Sequence, residues 1–265
     1  MILLPHTRTI SRLLNGCEKA VKRLPLPSVW REKAISWIFE LRSVVDPGGS
    51  WRHFAERLDS RHFASTPLSR AEREDLFRTS VRLVEIEPHS YCNRVCSFCP
   101  NAIYDRRSNR RALDRQELAG ILTSLSCVGY KGGIRFALYS EPLADPQIVE
   151  KIADVRTALP DSFIDIVSNG DYLNGELLAR LAEAGLNALY LSIYTQDHGW
   201  SQTAAIKQIE KVADKIGLVP TPLHTLPDHL AWSLPHPSVN ITAHSKNLAT
   251  TGFDRGGTLK TLTDD

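Results

Sequence analysis

Along residues 1–80, apolar side chains recur at helical spacing between breaks that are rich in proline and glycine. The spacing predicts one helix from about Thr9 to Arg23 and a second from a Ser28 cap to the residues before Asp46. Basic residues are frequent on these helices. We interpret them as a solvated face of helices that pack against a larger domain, with a membrane-surface or partner-binding role as the alternative. The pattern predicts an α-helical N-terminal extension over residues 1–80.

From residue 81 onward, short apolar runs alternate with helical stripes. Such alternation is typical of parallel βα units. We therefore predict an α/β fold: a partial (β/α)6 TIM-like barrel over residues 81–250, followed by a short tail over residues 251–265. The six expected strands are Val81–Glu87, Ile134–Tyr139, Phe163–Val167, Ala188–Ile193, Leu218–Leu223 and Val239–Ala243.

Composition narrows the class of protein. The 265 residues are 42% hydrophobic and 23% charged, which is ordinary for a globular protein. A formal net charge of +2 argues against broad electrostatic binding of nucleic acid. We see no apolar run of about 18 residues and no secretory signal, so neither a membrane span nor a membrane partner is expected. Five cysteines, an odd number, fit a reducing compartment better than a disulfide framework, and a cytoplasmic location is expected.

Three of the cysteines lie in one short segment directly after the first expected strand. Cys92, Cys96 and Cys99 have the spacing C-x3-C-x2-C. A loop with this spacing can turn three thiolates toward one point, which suits an iron–sulfur cluster or a soft metal ion. A structural zinc site with His89 as its fourth ligand is the alternative, and coincidence among five cysteines is another.

The segment resembles the cluster loop of the radical S-adenosylmethionine (radical SAM) superfamily, in which an aromatic residue precedes the third cysteine, as Phe98 does here. The resemblance implies a [4Fe–4S] cluster on Cys92, Cys96 and Cys99, with SAM bound at the free iron. In the superfamily, an electron splits SAM into methionine and a 5′-deoxyadenosyl radical, which removes a hydrogen atom from the substrate. An electron donor such as flavodoxin or ferredoxin is implied as a partner.

Three further segments resemble superfamily elements, and each follows an expected strand. Tyr139-Ser140-Glu141-Pro142 resembles the Gly-Gly-Glu-Pro element whose backbone and carboxylate hold the amino group of SAM, although both glycines are replaced. Ser168-Asn169-Gly170 resembles an element near the ribose and carboxylate of SAM, and Ser192 matches a serine that faces SAM. The resemblance thus places six side chains near SAM: Phe98, Ser140, Glu141, Ser168, Asn169 and Ser192.

Other residues are candidates for the substrate side or for structural roles. His224 and His244 follow the two late strands, so each is a candidate base or hydrogen-bond donor, although a lone histidine is often an ordinary surface or core residue. Cys17 falls on an apolar helical stripe and is expected to be a buried thiol, and Cys127, at the end of a helix, is interpreted as structural. The segment 253–257 resembles an element that precedes a second cluster domain in SPASM-type maturases. The resemblance implies either a relative that lacks that domain or a shortened form of a longer enzyme.

These observations predict a radical SAM enzyme that acts on a peptide or a sugar-like small molecule in a biosynthetic or maturation pathway. Two alternatives stay open. One is a zinc-stabilised interaction protein that uses His89 and the three cysteines. The other is a non-catalytic remnant of a radical SAM enzyme.

Overall fold

The structure of the chain is a computed structural model that describes residues 67–108, 110–195 and 200–248, together with Cys17, Val21 and Ala34. The chain divides into two compact units, Met1–Ser69 and Arg70–Asp265. Nearly all of the expected N-terminal helices and the whole of the expected tail lie outside the described residues. The boundary expected at residue 80 stays a prediction, and the helix that precedes it, Arg70–Ser80, belongs to the second unit.

The described part of the second unit contains five α-helices and seven strands. The helices are α1 (Arg70–Ser80), α2 (Arg115–Cys127), α3 (Ile148–Ala158), α4 (Gly175–Glu183) and α5 (Gln202–Lys215). The strands are β1 (Leu83–Ile86), β2 (Gly133–Phe136), β3 (Ile164–Ser168), β4 (Ala188–Ser192), β5 (Thr221–Thr225), β6 (His229–Leu234) and β7 (Asn240–Lys246). Within the described residues, no helix is both long enough and apolar enough to cross a membrane.

The strands form one sheet in the order β1-β2-β3-β4-β7-β6-β5. Strands β1 to β4 and β7 run parallel, whereas β5 and β6 are antiparallel to their neighbours. The predicted α/β class and its parallel strand–helix repeat are confirmed. The carboxyl ends of β1 to β4 and β7 therefore meet at one edge of the sheet, which is where parallel barrels place their chemistry.

The last part of the sheet differs from the six βα units that the pattern predicted. The expected fifth strand forms β5, which begins three residues later than expected and pairs with β6, a strand that was not predicted. Only three residues connect β5 to β6, and only five connect β6 to β7. Connections this short cannot hold a crossover helix, so these strands must pair antiparallel. The expected sixth strand is β7, which lies parallel to β4.

Local sequence explains the start of α2, whereas α3 begins later than the sequence predicted. At α2, the Asp114 side chain accepts a hydrogen bond from the Glu117 amide, and Glu117 reaches back to the Asp114 amide, so the predicted capping box is present. Asp145 was expected to cap α3, but that helix begins at Ile148. The Asp145 carboxylate accepts from the Gln147 amide at 3.0 Å and also lies 2.6 Å from the Lys151 Nζ, because a fully buried ammonium requires a counter-charge.

The parallel strands present one apolar and one polar face. Alternate side chains such as Phe136, Ile166 and Leu189 are fully buried in the core, which also contains residues of α2 to α5. Between them, Glu85, Arg135 and Asp165 form a polar row in register across β1, β2 and β3. Tyr190 and Thr242 are in register with each other and with Val167, two residues further along the strands.

Candidate active site

The cysteine loop leaves β1 at the carboxyl edge of the sheet. Cys92, Cys96 and Cys99 are free thiols, and each is half-buried. The Cys99 amide donates to the Cys96 carbonyl at 3.0 Å, and the Ala102 amide donates to the Cys99 carbonyl at 2.8 Å, so the loop closes into a tight turn. The Cys92 amide donates to the carbonyl of Arg106, which fixes the start of the loop.

Burial controls the protonation of these thiols. It raises the pKa of Cys92, and it raises the pKa of Cys96 to about 11. Both groups are therefore protonated at neutral pH when no metal is bound, and ligation must displace their protons. The Arg94 guanidinium opposes this shift at Cys96, since its positive charge favours the thiolate.

The three cysteines line one cavity of about 90 Å³. The chain ends of β1 to β4 all contribute to this cavity, so segments that are distant in sequence converge there. The cavity is also lined by every side chain that the sequence places near SAM, namely Phe98, Ser140, Glu141, Ser168, Asn169 and Ser192. Their role in binding SAM stays a prediction.

The donor set fits an iron–sulfur cluster in its chemistry, because three free thiols face a common space and none is tied up in a disulfide. The described residues contain no set of three or more His, Cys, Asp or Glu side chains that is already arranged around a single ion. A [4Fe–4S] cluster does not need such a set, because each of its cysteines ligates a different iron.

The turn after β2 is held against β1. Leu138 adopts a φ of 79°, which is unusual for a residue with a side chain. After this turn, the Tyr139 amide donates to a Glu87 carboxylate oxygen at 2.8 Å, and the Glu141 amide donates to the Tyr91 carbonyl at 2.9 Å. The strained residue thus directs the following segment into the cavity.

Glu141 connects the ends of β2 and β3. Its carboxylate is buried and accepts three hydrogen bonds, from the Ser168 hydroxyl at 2.6 Å, the Asn169 amide at 2.8 Å and the Leu143 amide at 3.0 Å. Burial raises its pKa, although these hydrogen bonds favour the ionised form. A carboxylate has about four acceptor positions, so one is left for a ligand in the cavity.

A second network joins the cysteine loop to the loop after β3. Asn93 and Arg94 both donate to the carboxylate of Asp171, with Arg94 in a bidentate arrangement. Burial by itself would raise the pKa of Asp171, but the hydrogen bonds from Arg94 and Asn93 outweigh it and hold the pKa below its usual value. Sequence reasoning missed Asp171. The available signal was its opposite charge to Arg94 and its place after β3, a strand of the same parallel set.

Aromatic side chains close the far side of the cavity. The rings of Phe98 and Tyr194 lie 4.8 Å apart between centroids, and the Arg94 guanidinium lies 5.9 Å from the centre of the Tyr194 ring. Burial raises the pKa of Tyr194. Because Tyr194 follows Ser192 at the end of β4, this contact joins the cysteine loop to a third strand end.

A larger cavity of about 680 Å³ is also lined by the cysteine loop and shares Arg94, Cys96, Phe98 and Tyr194 with the smaller one. The shared residues show that the two cavities adjoin each other at the cysteine loop. The remaining lining residues include Asn93, Ser97, Asp171, Thr195, Trp200 and Lys246.

His89 is not available as a fourth zinc ligand. One ring nitrogen, Nε2, donates to the Glu141 carbonyl at 2.9 Å, and the other, Nδ1, accepts from the Tyr91 amide at 3.0 Å. The ring is buried, and burial lowers its pKa. Both ring nitrogens are hydrogen-bonded to the backbone, so His89 connects the cysteine loop to the segment after β2. The zinc-site alternative therefore lacks the fourth ligand that it requires.

His224 and His244 lie on β5 and β7 and line neither of the two cavities beside the cysteine loop. His229 on β6 joins them, with nitrogen–nitrogen distances of 3.2 Å to His224 and 3.3 Å to His244. Sequence reasoning missed His229 because β6 was not predicted. His244 is paired in register with Ser192, so it lies one strand away from the smaller cavity.

The described region is similar to several known proteins. Residues 86–198 match the family model of the Radical SAM superfamily. An S-adenosyl-L-methionine-dependent 2-deoxy-scyllo-inosamine dehydrogenase from Niallia circulans is 30% identical over 117 residues, which cover 44% of this chain and 45% of that protein.

Solved structures show similar partial matches. The crystal structure of BtrN in complex with AdoMet and 2-DOIA shares 26% identity and covers 51% of each chain, with a TM-score of 0.42. The crystal structure of methylornithine synthase shares 22% identity and covers 59% of this chain and 52% of that chain, with a TM-score of 0.36. The chain spans about half the length of the relatives that it matches.

Proposed function

We propose that the protein is an enzyme that holds a [4Fe–4S] cluster on Cys92, Cys96 and Cys99 and binds SAM beside it, since residues 86–198 match the family model of the Radical SAM superfamily. When bound, these two groups supply a 5′-deoxyadenosyl radical that removes a hydrogen atom from the substrate. The observation that carries the proposal is the shared cavity, in which the three thiols face the strand-end residues Glu141 and Asn169.

The chain's own residues would bind and orient these groups. Arg94 favours the thiolate form of Cys96 and holds the loop to Asp171. Glu141 offers its remaining acceptor position to the amino group of SAM, while Ser168 and Asn169 keep that carboxylate in place. Ser140 and Ser192 line the same space, and Phe98 packs on Tyr194 and limits the access of water.

For the substrate we propose a small hydroxylated amine. The larger cavity lies within the size range of small-molecule sites and is lined by polar side chains, including Asn93 and Lys246. The relative from Niallia circulans is named for the aminocyclitol 2-deoxy-scyllo-inosamine. A sugar-like substrate therefore has more support than a peptide. His224 and His244 remain predictions as substrate bases, and a cytoplasmic location and a flavodoxin or ferredoxin donor remain predictions as well.

The function is tested by anaerobic reconstitution with iron and sulfide, followed by reduction with dithionite in the presence of SAM. We expect a brown protein that forms 5′-deoxyadenosine slowly without substrate, measured by chromatography. Cys96→Ala should lose both the colour and the product, because three thiolates are needed to hold the cluster. Cys127→Ala is the matched control, since that thiol is exposed at the end of α2. Undiminished product in Cys96→Ala would contradict the assignment.

The substrate class is tested separately. Addition of 2-deoxy-scyllo-inosamine should raise the rate of 5′-deoxyadenosine formation and consume the amine. A rate that stays at its substrate-free value would overturn this substrate, while the substrate-free reaction would still support the cluster and SAM.

A further inference from the structure

One polar atom beside the smaller cavity lacks a hydrogen-bond partner. The side-chain oxygen of Asn101 is buried, and no donor in the part of the chain that the structure describes bonds to it. Asn101 is only 6% exposed and lines the cavity together with the three cysteines. Buried carbonyl oxygens without a donor are rare in native proteins, so this atom calls for a ligand.

The hydrogen bond of the side-chain nitrogen fixes the orientation of the Asn101 amide. The Nδ2 atom donates to the Tyr139 carbonyl, with 2.8 Å between the two atoms. Turning the amide over would place Oδ1 against that carbonyl, and two acceptors would then face each other. The hydrogen bond to Tyr139 therefore leaves Oδ1 as the unpartnered acceptor of this side chain.

The same hydrogen bond engages the Tyr139 carbonyl, which lies in the segment that resembles the Gly-Gly-Glu-Pro element of the superfamily. Tyr139 and Ser140 replace the two glycines of the Gly-Gly-Glu-Pro element, whose backbone and carboxylate hold the amino group of SAM. In this chain the Tyr139 carbonyl already accepts from Asn101, and the Glu141 carboxylate already accepts three hydrogen bonds. Asn101 thus adds an unpartnered acceptor beside a segment whose acceptors are already partly used.

The chemistry of the site limits what the donor can be. Thiolates that bind iron carry no hydrogen, so Cys92, Cys96 and Cys99 cannot donate to Asn101 once the cluster is in place. The donor must then come from a second ligand in the cavity. An ammonium group suits a neutral amide oxygen, because a charged donor forms the stronger hydrogen bond.

We propose that Oδ1 of Asn101 accepts a hydrogen bond from the amino group of SAM, in addition to the one that Glu141 accepts from that group. The inference rests on the proposed function, because it needs both the cluster and SAM. In this role Asn101 contacts the amino group of SAM. Two ligands that differ only in that group can therefore test the inference.

The experiment measures the dissociation constants of two ligands for the reconstituted protein by calorimetry under anaerobic conditions. The ligands are SAM and the SAM analogue in which hydrogen replaces the amino group. Asn101→Ala should weaken the binding of SAM by about ten- to a hundredfold and leave the binding of the analogue nearly unchanged. Asn101→Asp keeps an acceptor at this position and should still prefer SAM to the analogue. Such a ligand-by-variant cycle removes general effects of the substitution on folding.

The outcomes separate this inference from the proposed function. Equal weakening of both ligands in Asn101→Ala, or no weakening of either, would overturn the role of Asn101. A shifted cluster spectrum with unchanged SAM affinity would assign Asn101 to the cluster and would also overturn it. If the unchanged protein binds neither cluster nor SAM, the proposed function itself fails, and the inference falls with it.

Discussion

The side chain of Asn169 donates to the side chain of Asn93, with 2.8 Å between Nδ2 and Oδ1, and so ties the loop after β3 to the cysteine loop. Its own Oδ1 accepts from the Asp171 amide at 2.9 Å. The amide keeps one hydrogen and one lone pair for a ligand. The two loops that would bind the cluster and SAM are therefore held together by a residue that also faces the cavity.

We expect Asn169→Ala to lower the affinity for SAM by roughly ten- to a hundredfold, because a lost hydrogen bond to a charged group costs about 1.5–3 kcal/mol. Calorimetry with SAM measures this, and the cluster absorbance should persist. Asn174→Ala is the matched control. Asn174 caps α4 by accepting from the Leu177 amide, so its loss should cost about 1 kcal/mol of stability without changing SAM affinity. Equal affinities for the parent and Asn169→Ala would contradict the placement of this element.

The bidentate pair between Arg94 and Asp171 should slow the loss of the cluster. Asp171→Asn removes the charge that orients Arg94 inside the cysteine loop, and we expect a chelator to extract iron roughly three- to tenfold faster, equivalent to about 1 kcal/mol for a partly exposed pair. The absorbance decay of the reconstituted protein measures this. Asp154→Asn breaks a similar bidentate pair with Arg115 on α2 and α3, and its iron should be lost at the parental rate. Equal rates in both variants would rule out this role of Asp171.

The sequence predicts those residues of the site that directly follow a predicted strand. Each strand is a short apolar run, and the residues after it stand at the carboxyl edge because the strands are parallel. Glu141 and Asn169 could therefore be expected near the three cysteines. The capping box at Asp114 was predictable for the same reason, since both of its partners lie within four residues.

Other features depend on pairs that local patterns do not reveal. Arg94 and Asp171 are 77 residues apart, and the unpartnered oxygen of Asn101 follows only from the packing around Tyr139. Strand β6 lies between Pro227 and Pro235, and those prolines favour a loop in a reading of the sequence alone. The row of three histidines was missed along with β6.

The number and placement of the cysteines predict one cluster per chain. An additional cluster needs three or four thiolates at one point, but Cys17 and Cys127 are both exposed, and Cys127 lies in a groove between α2 and α3. We expect about four irons and four sulfides per chain after reconstitution. The double change Cys17→Ser with Cys127→Ser should leave both values unchanged in iron and sulfide assays. Near eight irons per chain, with a spectrum that survives the loss of Cys96, would show that a second site exists.

The three neighbouring histidines, His224, His229 and His244, should make the free energy of unfolding depend on pH. Burial, together with the nearby His229 and Lys246, lowers the pKa of His244 to about 4, whereas a histidine in the unfolded chain titrates near 6.5. Between these values the unfolded state binds more protons than the folded state, so the free energy of unfolding falls as the pH falls from about 6.5 toward 4. The pKa of His229 is lowered as well, and its contribution has the same sign.

Urea unfolding of the cluster-free protein at pH 7.5 and pH 5 tests this dependence. Carboxyl groups also titrate in this range, so the comparison is between the parent and His244→Gln, which cannot take up the proton. We expect the loss of stability between the two pH values to be smaller in His244→Gln by roughly 1 kcal/mol, because water screens a half-buried ring and reduces the full linkage value. Lys246→Gln removes a neighbouring positive charge and should reduce the dependence by a smaller amount, since His244 keeps its burial. A pH dependence in His244→Gln as steep as that of the parent would show that the ring is not held neutral by the fold.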